Sequence, residues 1–151
     1  MKYLSPYRIA SYVLIVFFAG HTGGGMLSQK SLGAESDAVF NTMKTAHFTF
    51  NGANCTWYGF WFAFGLTASV FLLLSALVAW QLDKVPPQSW PAVATIAWAV
   101  AVANAANAVL TWTYFFTGAA LFATAAAVLL AIGAWRKGSS AGMTRSNVND
   151  T

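Results

Sequence analysis

Two histidines, His21 and His47, are the side chains in this sequence best suited to passing a proton, because imidazole ordinarily titrates near neutrality. His21 stands in GHTGGGM (20–26), at the far end of the first hydrophobic run, where a membrane helix would carry an aliphatic residue. Asn104, Asn107 and Thr111 follow at steps of three and four residues, so they share one helix face. His47, Asn51, Asn54 and Cys55 lie together in the connection after the first run, and Tyr114 closes the third. In a reactive site, His21 and His47 would be the catalytic pair. Asn104, Asn107, Thr111, Tyr114, Asn51 and Asn54 would orient the carbonyl or hydroxyl of a bound molecule.

Other chemistry is poorly provided for. No Asp or Glu falls within any expected span, so no carboxylate is at hand to set a histidine tautomer or to hold a cation. The lone Cys55 forms no internal disulfide, and no CxxC or Cys/His zinc pattern occurs, so no metal site is assigned. Cys55, Met26 and Met43 read as packing residues. Asn54-Cys55-Thr56 matches a glycosylation acceptor but lies against the membrane, and it is read as loop.

The elements that position these residues are membrane helices. The chain of 151 residues is 58% hydrophobic and only 8% charged, against about 25% charged in soluble domains. Four runs, 8–27, 57–80, 91–113 and 117–135, reach the roughly 20 residues needed to cross a hydrocarbon layer of about 30 Å. Without water to satisfy its amides, a continuous run of this kind must be helical. The fold class expected is all-α: an integral membrane four-helix bundle, up-down-up-down, with a short amphipathic helix in the outer loop between helices 1 and 2. Residues 1–137 form one transmembrane domain and 138–151 a disordered cytoplasmic tail.

Charge sets the orientation. Lys2, Arg8, Lys84, Arg136, Lys137 and Arg145 fall on one side and Lys30 and Lys44 on the other, which places both termini in the cytoplasm. Trp57 and Trp112 then mark outer helix ends, and Trp80, Trp90 and Trp135 inner ones. Lys2 and Arg8 ahead of an apolar stretch also resemble a signal peptide, with SLGA (31–34) as the least unsuitable cleavage site. The stretch is long, however, and no A-x-A follows. The net charge of +4 is scattered over helix ends, which argues against nucleic acid as a partner.

Local signals refine the picture. DKVPPQSWP (83–91) reads as a turn with Pro91 in the first turn of the third helix. Ala97, Ala101 and Ala105, and Ala119, Ala123, Ala127 and Ala131, recur every four residues and predict close helix packing. Ser36 is a candidate N-cap for an amphipathic helix over 36–50, with Val39, Phe40, Met43, Ala46, His47 and Phe50 on one face. Gly20 and Gly24 form a GxxxG, while Gly23–Gly25 could end or unwind the first helix.

His21 lies 13 residues beyond Arg8, and Asn104 lies 13 beyond Pro91. Both are therefore about 20 Å above the inner boundary. A polar pocket in the outer half, roofed by 36–55, is the expectation; in the structural reading, the first below, His21 donates to Asn104 or Asn107. Four readings follow. In the first, the chain is a structural protein or accessory subunit whose polar residues lock the bundle. In the second, it holds a binding or proton-transfer pocket for a quinone, isoprenoid or sterol-like molecule. In the third, His21 and His47 ligate haem for electron transfer. The fourth, ion conduction, has no pore-lining charge pattern behind it. The partners expected are the lipid bilayer, a lipophilic small molecule, and a membrane protein or further copies of the chain; no cofactor is identified.

In helix count and size, across most of its length, the chain resembles small bacterial four-helix membrane proteins such as the DoxX-like group. That resemblance implies an association with quinone-linked redox complexes and carries no motif, so it gives no residue a role. The location expected is a bacterial inner membrane.

Overall fold

The computed structural model describes residues 4–28 and 30–149, with side chains through 142. Lys2, the side chain of Arg145 and the last two residues of the expected tail lie outside the described residues. The described chain runs α1 (Pro6–Ala19), α2 (Ala34–Thr45), β1 (His47–Phe50), β2 (Ala53–Thr56), α3 (Trp57–Lys84), α4 (Trp90–Tyr114) and α5 (Thr117–Asn149). α1 widens into a π-helical segment over Gly20–Met26, and a single 3-10 turn, Pro87–Ser89, leads into α4. Four stretches, Pro6–Met26, Trp57–Lys84, Pro87–Tyr114 and Thr117–Gly142, are long and apolar enough to cross a membrane. The shortest has 21 residues, about 30 Å of helix. The helices point to an integral membrane protein. The described residues divide into two compact units, one of residues 4–17 and 72–149 and the other of residues 18–28 and 30–71.

In the first unit, every helix buries one narrow seam. The buried residues are Tyr7, Ala10, Ser11 and Leu14 on α1, and Leu72, Ser75, Ala76, Ala79 and Leu82 on α3. On α4 they are Trp90, Ala97, Ala101, Asn104, Ala108 and Thr111; on α5, Ala119, Ala120, Ala123, Ala126, Ala127, Leu130, Gly133, Ala134 and Ala141. The spacing alternates threes and fours, which corrects the every-four alanine stripes expected from sequence. A step of four turns the helix about 40° past a full circle, so a strict stripe of fours leaves the interface within three steps. Alternating steps drift only about 20° in seven residues. Ala105 is accordingly exposed and Ala131 half-buried, while Ala127 stays buried and Ala108 and Leu130 take the inward places. Asn104 is thus a polar residue set into a seam of alanines.

One glycine in this unit is required by packing. A Cβ at Gly133 would stand 2.9 Å from two carbons of the Tyr7 ring, and that ring is itself buried and 6.1 Å from the Trp90 ring.

Side chains close the helix ends. Ser5 Oγ accepts the Arg8 amide at 3.1 Å, capping α1 directly before Pro6 at its first position. Lys137 Nζ donates to the carbonyls of Leu82, Asp83 and Val85 at 2.8, 2.8 and 2.6 Å, gathering the acceptors at and just beyond the end of α3, where the Leu82 carbonyl also accepts the Val85 amide at 3.3 Å. Trp112 Nε1 near the end of α4 donates to Thr124 Oγ1 near the start of α5 at 2.9 Å.

The second unit departs furthest from expectation. Its helix α2 begins at Ala34, not after a Ser36 cap, because Gly33 at φ 109° supplies a backbone turn that only glycine adopts freely. Asp37 accepts from Ser31 Oγ and the Leu32 amide, and it lies with Glu35 in the first turn, where the helix dipole favours acidic groups. The helix ends at Thr45, and residues 47–50 of the predicted helix form a strand instead. The reason is the Asn51-Gly52 pair, at φ 49° and 82°, which makes the two-residue turn of an antiparallel hairpin. Thr56 Oγ1 then accepts the Gly59 amide at 3.0 Å and caps α3.

α5 continues as helix through Asn149, across a stretch where the lack of apolar periodicity predicted no regular structure. The serine hydroxyls there bond to the preceding turn, Ser139 to the Trp135 carbonyl and Ser140 to that of Arg136.

Candidate functional site

His21 sits in the π-helical segment, whose wider turn is closed by the Leu27 amide on the Thr22 carbonyl at 2.9 Å. Its Nε2 lies 2.9 Å from the Gly65 carbonyl oxygen on α3. A carbonyl only accepts, so this bond requires the proton on Nε2. A backbone carbonyl therefore sets the tautomer, the task for which no carboxylate was found in sequence. Beside it, Thr22 Oγ1 donates to Ser69 Oγ at 2.8 Å, and Ser69 Oγ donates to the same Gly65 carbonyl at 3.3 Å. Gly65 is needed for a second reason. A Cβ there would overlap the Met26 sulfur, the buried residue that ends the π-helical segment. The triple glycine that follows His21 neither ends nor fully unwinds the helix; Gly23, Gly24 and Gly25 keep helical turns and have open space at the Cβ position.

Of the other residues in this unit, the hairpin brings two together. His47 Nδ1 and Asn54 Oδ1 are 3.3 Å apart on the exposed face of the hairpin. Asn51 is the left-handed residue at its tip, and Cys55 Sγ lies 3.6 Å from the Ala53 carbonyl.

Asn104, in the first unit, is 1% exposed. Its Nδ2 donates to Ser75 Oγ on α3 at 3.2 Å and to the Val100 carbonyl one turn back at 2.9 Å. His21 and Asn104, paired in the sequence reading, thus bond to Gly65 and Ser75 respectively. Thr111 is buried and bonds only within its own helix in the contacts observed, to the carbonyls of Asn107 and Ala108. Asn107 is half-buried, and Tyr114 is 76% exposed at the end of α4. Among the described residues, two buried side-chain polar atoms lack a hydrogen-bond partner: the Tyr7 hydroxyl and Asn104 Oδ1. No three His, Cys, Asp or Glu side chains among the described residues gather as a metal site would require.

A second polar cluster escaped the sequence reading. Asp83, assigned there to a loop, lies in the last turn of α3, and so a carboxylate does fall within a span. It accepts from Arg8 Nε at 2.9 Å and Nη2 at 2.6 Å, and from the Ser5 hydroxyl. The Arg8 guanidinium also stands 3.9 Å from the centre of the Trp80 ring. The signal was present: a single acid opposite a single early arginine, both at the ends of apolar runs. Comparison with protein-family models, with curated proteins and with solved structures found no match to this chain.

Proposed function

We propose that the protein is a small integral membrane protein of structural or accessory-subunit type, whose polar residues hold its own helices in register. One observation carries this reading: four polar side chains within the spans are engaged by neighbouring helices. His21 bonds the Gly65 carbonyl, Thr22 bonds Ser69, Asn104 bonds Ser75, and Ser11 Oγ donates to the Ala76 carbonyl at 3.0 Å. Each such bond in lipid contributes about 0.6 kcal/mol on average and up to about 1.7.

The topology is up-down-up-down, with α2 in the outer connection and both termini cytoplasmic, in a bacterial inner membrane. Contacts in the first unit support it: Asp83 and Trp80 at the end of α3 meet Arg8 and Tyr12 at the start of α1, and Trp112 and Thr124 join opposite ends of α4 and α5. The partners proposed are the bilayer and another membrane protein or further copies of the chain.

A second reading makes His21 the centre of a polar pocket for a small lipophilic molecule, a quinone, isoprenoid or sterol-like compound, with His47 as a further proton carrier. It is favoured by the π-helical setting of His21, since such segments recur at functional sites, and by the unpartnered buried acceptor on Asn104.

Two substitutions separate the readings. His21→Gln keeps a donor for the Gly65 carbonyl but carries no titratable ring; His21→Ala removes both. A structural role predicts that Gln retains thermal stability in mild detergent and that Ala lowers it. If Gln and Ala are equally stable while a co-purifying small molecule is lost from both, the pocket reading replaces this one.

A further inference from the structure

The hairpin β1–β2 is two-faced. Its register pairs His47 with Thr56, Phe48 with Cys55, Thr49 with Asn54 and Phe50 with Ala53. Alternation then sets Phe48, Phe50, Ala53 and Cys55 on one face and His47, Thr49, Asn54 and Thr56 on the other. The apolar face turns toward the first turns of α3. The Phe48 ring lies 4.7 Å from that of Trp57 and 5.6 Å from that of Phe60, and the Phe50 ring lies 5.8 Å from Phe60. Phe60 is three residues into α3, about 4.5 Å below Trp57 along the helix axis. The Phe48 and Phe50 rings therefore lie beside the first turn of the helix.

Yet this face is not covered. Phe50 is 53% exposed, Trp57 58% and Phe64 69%, with Phe60 and Phe64 in ring contact at 6.1 Å. The result is a continuous aromatic strip, exposed at Phe50, Trp57 and Phe64 and half-buried at Phe48 and Phe60, that runs from the hairpin down the flank of a membrane-spanning helix. From the continuity of that strip with the lipid-facing span, and from the alternation of the hairpin, we infer that β1–β2 is an interfacial anchor. Its Phe48/Phe50 face lies against the outer lipid boundary, and its His47/Thr49/Asn54 face is turned to water.

The Trp57 ring favours that zone, and Phe48 and Phe50 supply the apolar face that an interfacial segment buries at the headgroup–acyl boundary. The strand edges and the Asn51-Gly52 backbone need the headgroup layer and its water, because unpaired amides are not tolerated in hydrocarbon. Only side chains dip further. This inference rests on the integral-membrane reading.

The test is probe depth in liposomes of phosphatidylcholine and phosphatidylglycerol. After Cys55→Ala, single cysteines are introduced as Phe50→Cys, Ala53→Cys, Thr49→Cys and Phe64→Cys in the full chain, spin-labelled, and compared for collision with oxygen and with a water-soluble nickel chelate. The expected result is oxygen-favoured collision at 50, 53 and 64 and chelate-favoured collision at 49. If 64 favours oxygen while 50 and 53 match 49, the anchor is refuted and the membrane reading stands. If 64 itself favours the chelate, both fail. If 50 and 53 are shielded from both reagents, a protein covers the strip and the lipid assignment is overturned.

Discussion

The bond between Asn104 and Ser75 joins α4 to α3 inside an otherwise apolar seam, and its strength can be worked out in advance. The donor–acceptor distance is 3.2 Å, at the long end of the N–H···O range, and both partners are neutral. The same Nδ2 also serves the Val100 carbonyl. These facts place the pair near the average of about 0.6 kcal/mol for interhelical bonds in lipid, below the maximum of about 1.7. Single substitutions would blur that quantity. Asn104→Ala removes the bond, but it also removes the unpartnered Oδ1 and leaves a small void. A double-mutant cycle of Asn104→Ala and Ser75→Ala isolates the pair. The assay is reversible unfolding in mixed micelles, titrated with sodium dodecyl sulfate and followed by tryptophan fluorescence. A favourable coupling of about 0.5–1 kcal/mol is expected. A coupling of zero, or of opposite sign, would refute the claim that the polar residues of the seam act as interhelical locks.

Other substitutions test the surrounding packing. Tyr7→Phe should raise stability by about 1 kcal/mol, because a buried hydroxyl without a partner is removed while the ring stays in place; a measured loss would mean that the hydroxyl is bonded. Gly133→Ala should lower stability by about 1–3 kcal/mol, since its methyl group meets the fixed Tyr7 ring. Gly65→Ala should be milder, because the obstructing atoms belong to the flexible end of Met26; thermal unfolding that ranked the two the other way would contradict the packing described. Lys137→Met should remove about 1.5 kcal/mol, the low end for bonds to a charged donor that is partly solvated, and amide exchange at residues 82–85 should rise with it.

The four spans were legible because each is a long, nearly uncharged apolar run, a signal that needs no periodicity. The alanine seams were half legible. Ala97, Ala101, Ala119, Ala123 and Ala127 are buried, but the continuation to Ala105 and Ala131 followed composition where helix geometry requires steps of three and four. The loop misled for a different reason. Val39, Phe40 and Met43 at helical spacing drew the predicted helix on into Phe48 and Phe50, although Asn51-Gly52 between short alternating segments is a strong hairpin signal. At the candidate site, the types of residue could be read but not their partners. A backbone carbonyl such as that of Gly65 has no signature in sequence, so the acceptor for His21 was sought among side chains. Asp83 lies beyond residue 80, where the uninterrupted apolar run ends, whereas α3 continues to Lys84.

Native mass spectrometry of the protein extracted in mild detergent tests the central claim most directly. If the polar residues of the spans serve to hold helices together, the spectrum should show the chain alone, with further copies or with a protein partner, and only heterogeneous lipid adducts; His21→Gln should give the same spectrum. A single quinone, isoprenoid, sterol-like molecule or haem bound one to one with the wild-type chain and lost in His21→Gln would contradict it.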